Sequence, residues 1–348
     1  MAENPERSYT YPNESDDPDR RDVLRNKLGI RSNGELRRAE YELTRFRQAE
    51  LFEGGGPKGN FDAAHLKAIH GFIFQDVYEW AGHTRNERPM VDGAQVEPIG
   101  NLSKGGTTFL HGSRIEMGLK EALKPIQDPE VLRGSTSAEF AERAGTVLSE
   151  LNYVHAFREG NGRAQESFIA ALGREYGHEV AFSVITKPRM IEASIESTND
   201  PSSRAMVHLM EDATDPGRRE VIRSTFEDLR ARGEDPMEHN VRTAAPGEVV
   251  TGAVLGSDDQ TVSLVTDRGI VAADRHDLPA ELPGDDSDIT FQARSDYSRH
   301  SRLEPSRSGD SSNSPARSAE QPDRGTSSSG GGSGTIKTRS AREDDYER

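Results

Sequence analysis

The 348-residue sequence contains no cysteine. This excludes disulfides and thiolate metal centres, and it leaves folding open to reducing and oxidising compartments alike. No run approaches eighteen apolar residues, so no transmembrane helix is expected. The first thirty residues, MAENPERSYTYPNESDDPDRRDVLRNKLGI, lack the apolar stretch of a secretory signal, and the expected compartment is the cytoplasm. Hydrophobic residues are scarce at 32%, whereas charged residues reach 30%. Such a deficit points to long polar segments diluting an ordinary core. Positive charge is also short: 44 Lys and Arg face 60 Asp and Glu, giving a net charge of -16. A surface of that sign disfavours broad contact with nucleic acid or anionic membrane, so neither is an expected partner. A phosphate site would need local positive potential from a helix N-terminus and a few Arg or Lys.

The polar segments fall at the ends. Residues 1–27, rich in Pro, Asp, Arg and Ser, are expected to form a disordered or loosely docked arm. Helical periodicity begins near Glu35, with Leu36, Ala39, Leu43 and Phe46, and breaks at EGGGPKG, residues 53–59. Leu66, Ile69, Phe72, Ile73 and Val77 predict a helix that Gly82 stops, roughly four turns long. Ser103 to Thr108 (SKGGTT) predicts a small hairpin. Further helices are expected from Ile115 to about Lys124, over Glu139 to Tyr153 behind Ser137 as N-cap, and from Arg163 to Tyr176. Others lie near 188–197, 201–212 and 216–232, so residues 28–235 read as one mainly α unit. From Glu248 to Val271, and again at Ile289 to Phe291, short apolar runs split by turns predict strands. A small barrel or curled sheet is expected over 243–293. Residues 294–348, including SSSGGGSG, cannot bury enough apolar surface to offset chain entropy and are expected to be a disordered tail.

Chemistry concentrates in His155-Ala156-Phe157-Arg158-Glu159-Gly160-Asn161-Gly162-Arg163, between two expected helices. Gly160 and Gly162 lack a Cβ and permit a phosphate to approach the backbone. Asn161 tolerates left-handed geometry and carries an amide donor, and Arg163 adds a fork matched to phosphate oxygens. Glu159 is a hard oxygen ligand of the kind a phosphate-bridging Mg²⁺ takes. His155 can accept a proton near neutral pH. A base, a metal ligand and an anion cradle within nine residues suit nucleotidyl or phosphoryl transfer to a hydroxyl.

HAFREGNGR resembles the Fic signature H-P-F-x-(D/E)-G-N-G-R. FDAAHLKAIH (61–70) and YEWAGHTR (78–85) resemble the early helix and the W-A-G segment of the same family, and the likeness covers roughly residues 40–215. It implies a mainly α Fic bundle with a β-hairpin flap, followed here by an oligonucleotide-binding-like module. It also implies transfer of AMP from Mg-ATP to a Ser, Thr or Tyr hydroxyl of a target protein. In that scheme His155 deprotonates the hydroxyl and Glu159 holds Mg²⁺. Gly160, Asn161 and Gly162 form the anion hole, and Arg163 stabilises the departing pyrophosphate. Phe157 anchors the loop. Lys104, Gly105, Gly106 and Thr107 occupy the flap, which would register the target by strand addition. The resemblance further implies a bacterial toxin or effector, resident in the cytoplasm or translocated into another cell by a secretion system.

The sequence departs from the pattern at two places. Ala156 replaces the usual Pro. Glu166 stands where the family often has a second Arg, and a carboxylate there repels a terminal phosphate. The family's inhibitory pattern, (S/T)-x-x-x-E-(G/N), is not found; Ser135 to Phe140 and Thr146 to Leu151 end in the wrong residue. A separate antitoxin is therefore a candidate partner. Two other readings stay open: an altered nucleotide donor, and a non-catalytic binding scaffold. Taken singly, Glu166 reads as an exposed helix acid, His65 and His70 as structural, and Trp80 as a core anchor.

Overall fold

A computed structural model describes residues 5–13, 15–282 and 287–302. Eight α-helices form its larger part: α1 (Asn33–Phe52), α2 (Ala63–Phe74), α3 (Ile115–Leu123), α4 (Ser137–Val154), α5 (Asn161–Tyr176), α6 (Lys187–Asn199), α7 (Ala205–Thr214) and α8 (Pro216–Ala231). Two small hairpins lie between α2 and α3: β1 (Met90–Val91) with β2 (Ala94–Gln95), and β3 (Ser103–Lys104) with β4 (Thr107–Thr108). Five strands follow α8: β5 (Val241–Thr243), β6 (Val249–Ser257), β7 (Thr261–Thr266), β8 (Gly269–Asp274) and β9 (Asp288–Gln292).

Local chemistry explains the helix ends. Thr136, not Ser137, caps α4: its hydroxyl accepts from the Glu139 N–H while the Glu139 carboxylate accepts from the Thr136 N–H. This reciprocal box satisfies two orphan donors, which a Ser137 cap could not do with Glu139. Helix α2 starts on the Asp62 side chain and is shorter than its apolar spacing predicts. After Phe74 the chain leaves the helical path, yet Val77, Tyr78 and Trp80 stay buried in the following turns. Burial continued there without helix, which apolar spacing alone does not distinguish.

The core runs through the bundle with α4 and α5 at its centre. Phe140, Ala144, Val147, Leu148 and Leu151 of α4 meet Phe168, Ile169 and Leu172 of α5, all essentially inaccessible to solvent. The same core reaches one face of the C-terminal sheet, through Val241, Leu255, Ile270 and Ala272. The sheet order is β5-β8-β7-β6-β9, antiparallel except for the parallel β5–β8 pair. Its other face curls over a second core of Val250, Val262, Leu264, Val271, Ala273 and Phe291. Alternate residues of β8 thus serve two cores, as the period of a strand requires.

Three expected boundaries move. The arm expected over 1–27 is packed where it is described, with Tyr9 edge-on to Trp80 at 5.9 Å and Val23 1% exposed. A few apolar side chains, Tyr9 and Val23 with Tyr11 and Leu24 beside them, hold a segment whose composition is otherwise polar. The sheet starts at Val241, before the expected 243. At the other end the fold continues past 293: Tyr297 is fully buried, donates to the Ala244 carbonyl at 2.8 Å and lies under the Arg218 guanidinium. The remainder of the expected tail, from 303, lies outside the described residues. Tyr297→Ala is expected to lower stability by about 3–5 kcal/mol in urea unfolding. A change within experimental error would place residues 294–302 outside the cooperative fold.

Candidate active site

The loop between α4 and α5 begins with a backbone constraint. His155 closes α4 in the left-handed region (φ 45°, ψ 60°), with its N–H on the Leu151 carbonyl at 3.0 Å. Glycine normally takes this position, and a residue with a Cβ persists there only when its surroundings hold it. Arg85 supplies much of that hold. It is fully buried, and its guanidinium donates to the carbonyls of His155 (2.8 Å), Ile99 (2.9 Å), Gly100 (3.1 Å) and Leu110. The Arg85 N–H donates in addition to the Ala156 carbonyl at 2.8 Å. Burial pulls this guanidinium down to about 10, still well above neutrality, so its donors remain charged.

Two further side chains clasp the turn. The Asn161 amide accepts from the Phe157 N–H at 2.9 Å and donates to the Phe157 carbonyl at 2.8 Å. The Asn161 side chain is thus spent inside the loop; what it can offer an anion is its backbone N–H in the first turn of α5. Asn161 is helical, and the left-handed residue is instead Gly160, at φ 80°. His70 accepts from the Gly82 N–H at 2.9 Å and donates to the Glu159 carbonyl at 3.0 Å, which fixes its proton on Nε2. Its ring stacks on Phe157 at 3.9 Å. Burial holds its pKa down at about 4, so the neutral tautomer persists. His70 is structural, as its sequence context suggests, but the structure it supports is this loop. His65 braces the start of α2, and Trp80 is a core side chain.

Around this turn opens a cleft of about 1200 Å³, lined by His155, Glu159 to Arg163, the flap residues Lys104 and Gly105, and Glu166. The first N–H groups of α5 have no intrahelical acceptor, and together with the helix dipole they favour an anion at this end. A Cβ on Gly162 would meet nothing within 4 Å, whereas one on Gly160 would lie 2.1 Å from the Phe74 ring. Gly162 therefore faces open space, and Gly160 faces protein.

His155 stacks on Phe109, just beyond the flap, at 3.9 Å and 15°. Both ring nitrogens are buried without a well-aligned hydrogen bond, and the backbone of Asn152 makes a weak contact that favours the protonated ring. Burial, aided by the charge of Lys104 and opposed by that of Glu159, holds its pKa down at about 3. At neutral pH the ring is therefore uncharged, with one nitrogen unprotonated. Glu159 shows the opposite balance. Burial would raise its pKa, but Lys104 with Nζ at 3.8 Å, the Gly160 N–H at 3.0 Å and the charges of Arg163 and Arg158 hold it below the usual range. It is a carboxylate beside the anion end of a helix. Among the described residues no three acidic or imidazole groups converge on one point. A lone carboxylate fits Mg²⁺, which takes one or two protein ligands and completes its shell with phosphate and water.

Of the flap residues expected to dock a target, Lys104 turns inward to Glu159. The hairpin itself forms as expected, with Ser103 opposite Thr108 and Lys104 opposite Thr107. Glu166 is not an exposed helix acid. It lines the cleft, and burial, partly offset by Arg163, pushes its pKa up to about 7. Arg163 reaches Glu40 and Thr44 of α1, partners that no spacing in the sequence announces.

Helical fold and site together place a neutral histidine and a buried carboxylate beside the N-terminus of a helix. A model of the Fic/DOC family matches residues 60–172. A probable protein adenylyltransferase of Sinorhizobium fredii is 35% identical over 50% of this chain and 83% of its own length. The chain belongs to the Fic/DOC family. A protein adenylyltransferase of Bartonella henselae is 30% identical over 82% of this chain, which spans about half, 52%, of that relative. The solved type IV secretion system effector protein BepA superposes with a TM-score of 0.71 at 29% identity, covering 83% of this chain and 97% of that one. BepC of Bartonella tribocorum, solved with bound AMPPNP, gives a TM-score of 0.54 at 34% identity over 60% of this chain and 96% of that one.

The two glycines should respond differently to alanine. Gly160→Ala is expected to cost about 2–4 kcal/mol, from strain at positive φ and the clash with Phe74. Gly162→Ala is expected to leave stability unchanged or raise it by about 0.5–1 kcal/mol, since alanine favours helix. It should instead weaken phosphate binding. Thermal unfolding and nucleotide titration of both variants check this; matching behaviour of the two would contradict the geometry.

Proposed function

We propose that this protein transfers AMP from Mg-ATP to a hydroxyl of a Ser, Thr or Tyr side chain on another protein. The observation that carries this reading is the neutral His155 ring on the same cleft as the N-terminus of α5. Its relatives' names, and the AMPPNP bound to one of them, support a nucleotide as donor.

The chemistry divides among the residues by position. The target oxygen attacks the α-phosphorus and its proton passes to a ring nitrogen of His155. The bond from the α-phosphorus to the bridging oxygen breaks, and pyrophosphate leaves. The backbone N–H groups of Asn161, Gly162 and Arg163 receive phosphate oxygens, and the Arg163 fork meets the charge that develops on the leaving group. Bound Mg²⁺, held through Glu159, would supply charge neutralisation to the phosphates. The flap, Lys104 to Thr107, holds the target chain as an added strand with the hydroxyl near His155. The likeness to BepA supports delivery into another cell by a secretion system as the setting for this activity. Incubation with radiolabelled ATP and Mg²⁺ should label protein, and His155→Ala should lower the rate about 100-fold or more. Equal labelling by both proteins would leave a binding scaffold as the better reading.

One observation favours a second donor reading. Glu166 lies on the cleft wall, one turn along α5 from Arg163; a terminal phosphate that reaches this wall meets its carboxylate. Its raised pKa sets the sign: above about 7 it is a carboxylate and repels triphosphate, below it is neutral and does not. Affinity for Mg-ATP is expected to rise as pH falls from 8 to 6, and Glu166→Gln should be tight at both. Competition between ADP and ATP, measured at each pH, checks this. A Glu166→Gln variant with the pH dependence of the wild type removes Glu166 from donor selection.

A further inference from the structure

Arg163, the cation expected to meet the leaving group, is not a free side chain. One of its terminal nitrogens donates to Oε1 of Glu40, and the other donates to the Thr44 hydroxyl at 3.0 Å. The guanidinium also lies over the Phe74 ring, 4.6 Å from its centre. Glu40 is in turn fixed. It sits in the middle of α1, is 9% exposed, and accepts from the Tyr78 hydroxyl through its second oxygen. Tyr78 is itself locked, stacked on Trp80 at 4.3 Å. Burial, reinforced by the Glu40 charge, raises the Tyr78 pKa and keeps it a donor. Thr44 closes the ring by donating to the Glu40 carbonyl at 2.8 Å. A relay of buried bonds thus connects the core at Trp80 to one guanidinium on the cleft.

A buried carboxylate is costly to desolvate, and here the Tyr78 hydroxyl and the Arg163 guanidinium offset that cost. An unrestrained arginine loses much rotamer freedom whenever it engages a phosphate, whereas one already fixed meets developing charge without reorganising. We propose that Glu40 is a positioning residue for the transfer reaction: it fixes the Arg163 guanidinium so that the donors not used by Glu40 and Thr44 are set toward the leaving group. Tyr78 fixes Glu40 in the same sense. The proposal rests on the AMP-transfer reading above, because it assigns Arg163 a charge to stabilise.

The two effects of Glu40 on Arg163 have opposite signs for binding and for turnover, and this makes the idea testable. Its negative charge offsets part of the positive potential, which weakens ground-state nucleotide binding. Its fixed geometry helps only when charge builds on the leaving group. The experiment measures AMP transfer at saturating Mg-ATP, binding of α,β-methylene ATP, and thermal unfolding. It compares wild type with Glu40→Gln, Glu40→Asp and Tyr78→Phe. Glu40→Gln is expected to lower turnover about tenfold or more while the analogue binds as tightly as before or about threefold tighter. Glu40→Asp should recover part of the loss. Tyr78→Phe, which keeps the core volume, should move turnover in the same direction by less.

Unchanged turnover in both Glu40→Gln and Tyr78→Phe overturns the proposal. So does a parallel fall in turnover, affinity and unfolding temperature, which would make Glu40 a stabilising residue only. Wild-type protein that transfers no AMP defeats the functional reading first and this inference with it, so the two failures are distinguishable.

Discussion

Everything at the cleft depends on the left-handed turn at His155. A histidine at φ 45° brings its ring out of the line of α4 and against Phe109, while the next six residues carry the chain into the N-terminus of α5. The conformation is unfavourable for a residue with a Cβ, by about 1 kcal/mol or more, so it must be imposed from outside. Arg85 imposes it from one side, through backbone carbonyls rather than an acid. His70 and Asn161 impose it from the other. The side chains of Arg85, His70 and Asn161 are spent on backbone groups of the protein, and they hold His155, Glu159 and the N-terminus of α5 in register.

The electrostatics follow from the same packing. The site lies in a protein of net charge -16, and positive potential is gathered locally, around a helix end with Arg163, Lys104 and Arg158 beside Glu159 and with Arg7, Arg21, Arg37 and Lys187 elsewhere on the cleft lining. Burial alone would raise the pKa of Glu159 and lower that of His155. The nearby cations reverse the first effect and reinforce the second. One set of charges therefore yields a carboxylate and a neutral imidazole within a few residues, the protonation pair that metal-assisted attack by a hydroxyl needs. Separately placed groups would have to be tuned one at a time.

The sequence made the outline of this arrangement readable because its signals are local. Glycines at 160 and 162, a histidine before them and an arginine after them lie within nine residues, and helical spacing on both sides tells that they form an inter-helix turn. The helices from α3 to α8 were legible for the same reason, their apolar stripes repeating at the helical period. What stayed hidden is carried by contacts between distant residues. Arg85 pairs with a carbonyl 70 positions away and Glu40 with a guanidinium 123 away. Each reads locally as an ordinary solvated charge. The close packing of the N-terminal segment, expected to be disordered or only loosely docked, and the region around Tyr297 were not legible because a few buried aromatic or aliphatic side chains anchor a stretch whose average composition is that of a disordered one. β5, three residues long, offers too few alternations to register as a strand. Composition averages over a window, and a single buried side chain is invisible to it.

Glu166 and Glu40 bring these strands together, because the same residue type next to the same arginine has opposite consequences. Glu40 borders the same cleft but is bonded on both oxygens, to the Tyr78 hydroxyl and the Arg163 guanidinium. Its charge is matched, and its cost is offset by hydrogen bonds. Glu166 lies on the cleft wall, where burial raises its pKa to about 7 and the charge of Arg163 opposes that only in part. It is left poised between two charge states. An acid that is bonded on every side fixes geometry, and an acid that is merely buried makes the site's charge depend on pH. Sequence position cannot tell these apart; the number of donors that reach each carboxylate can.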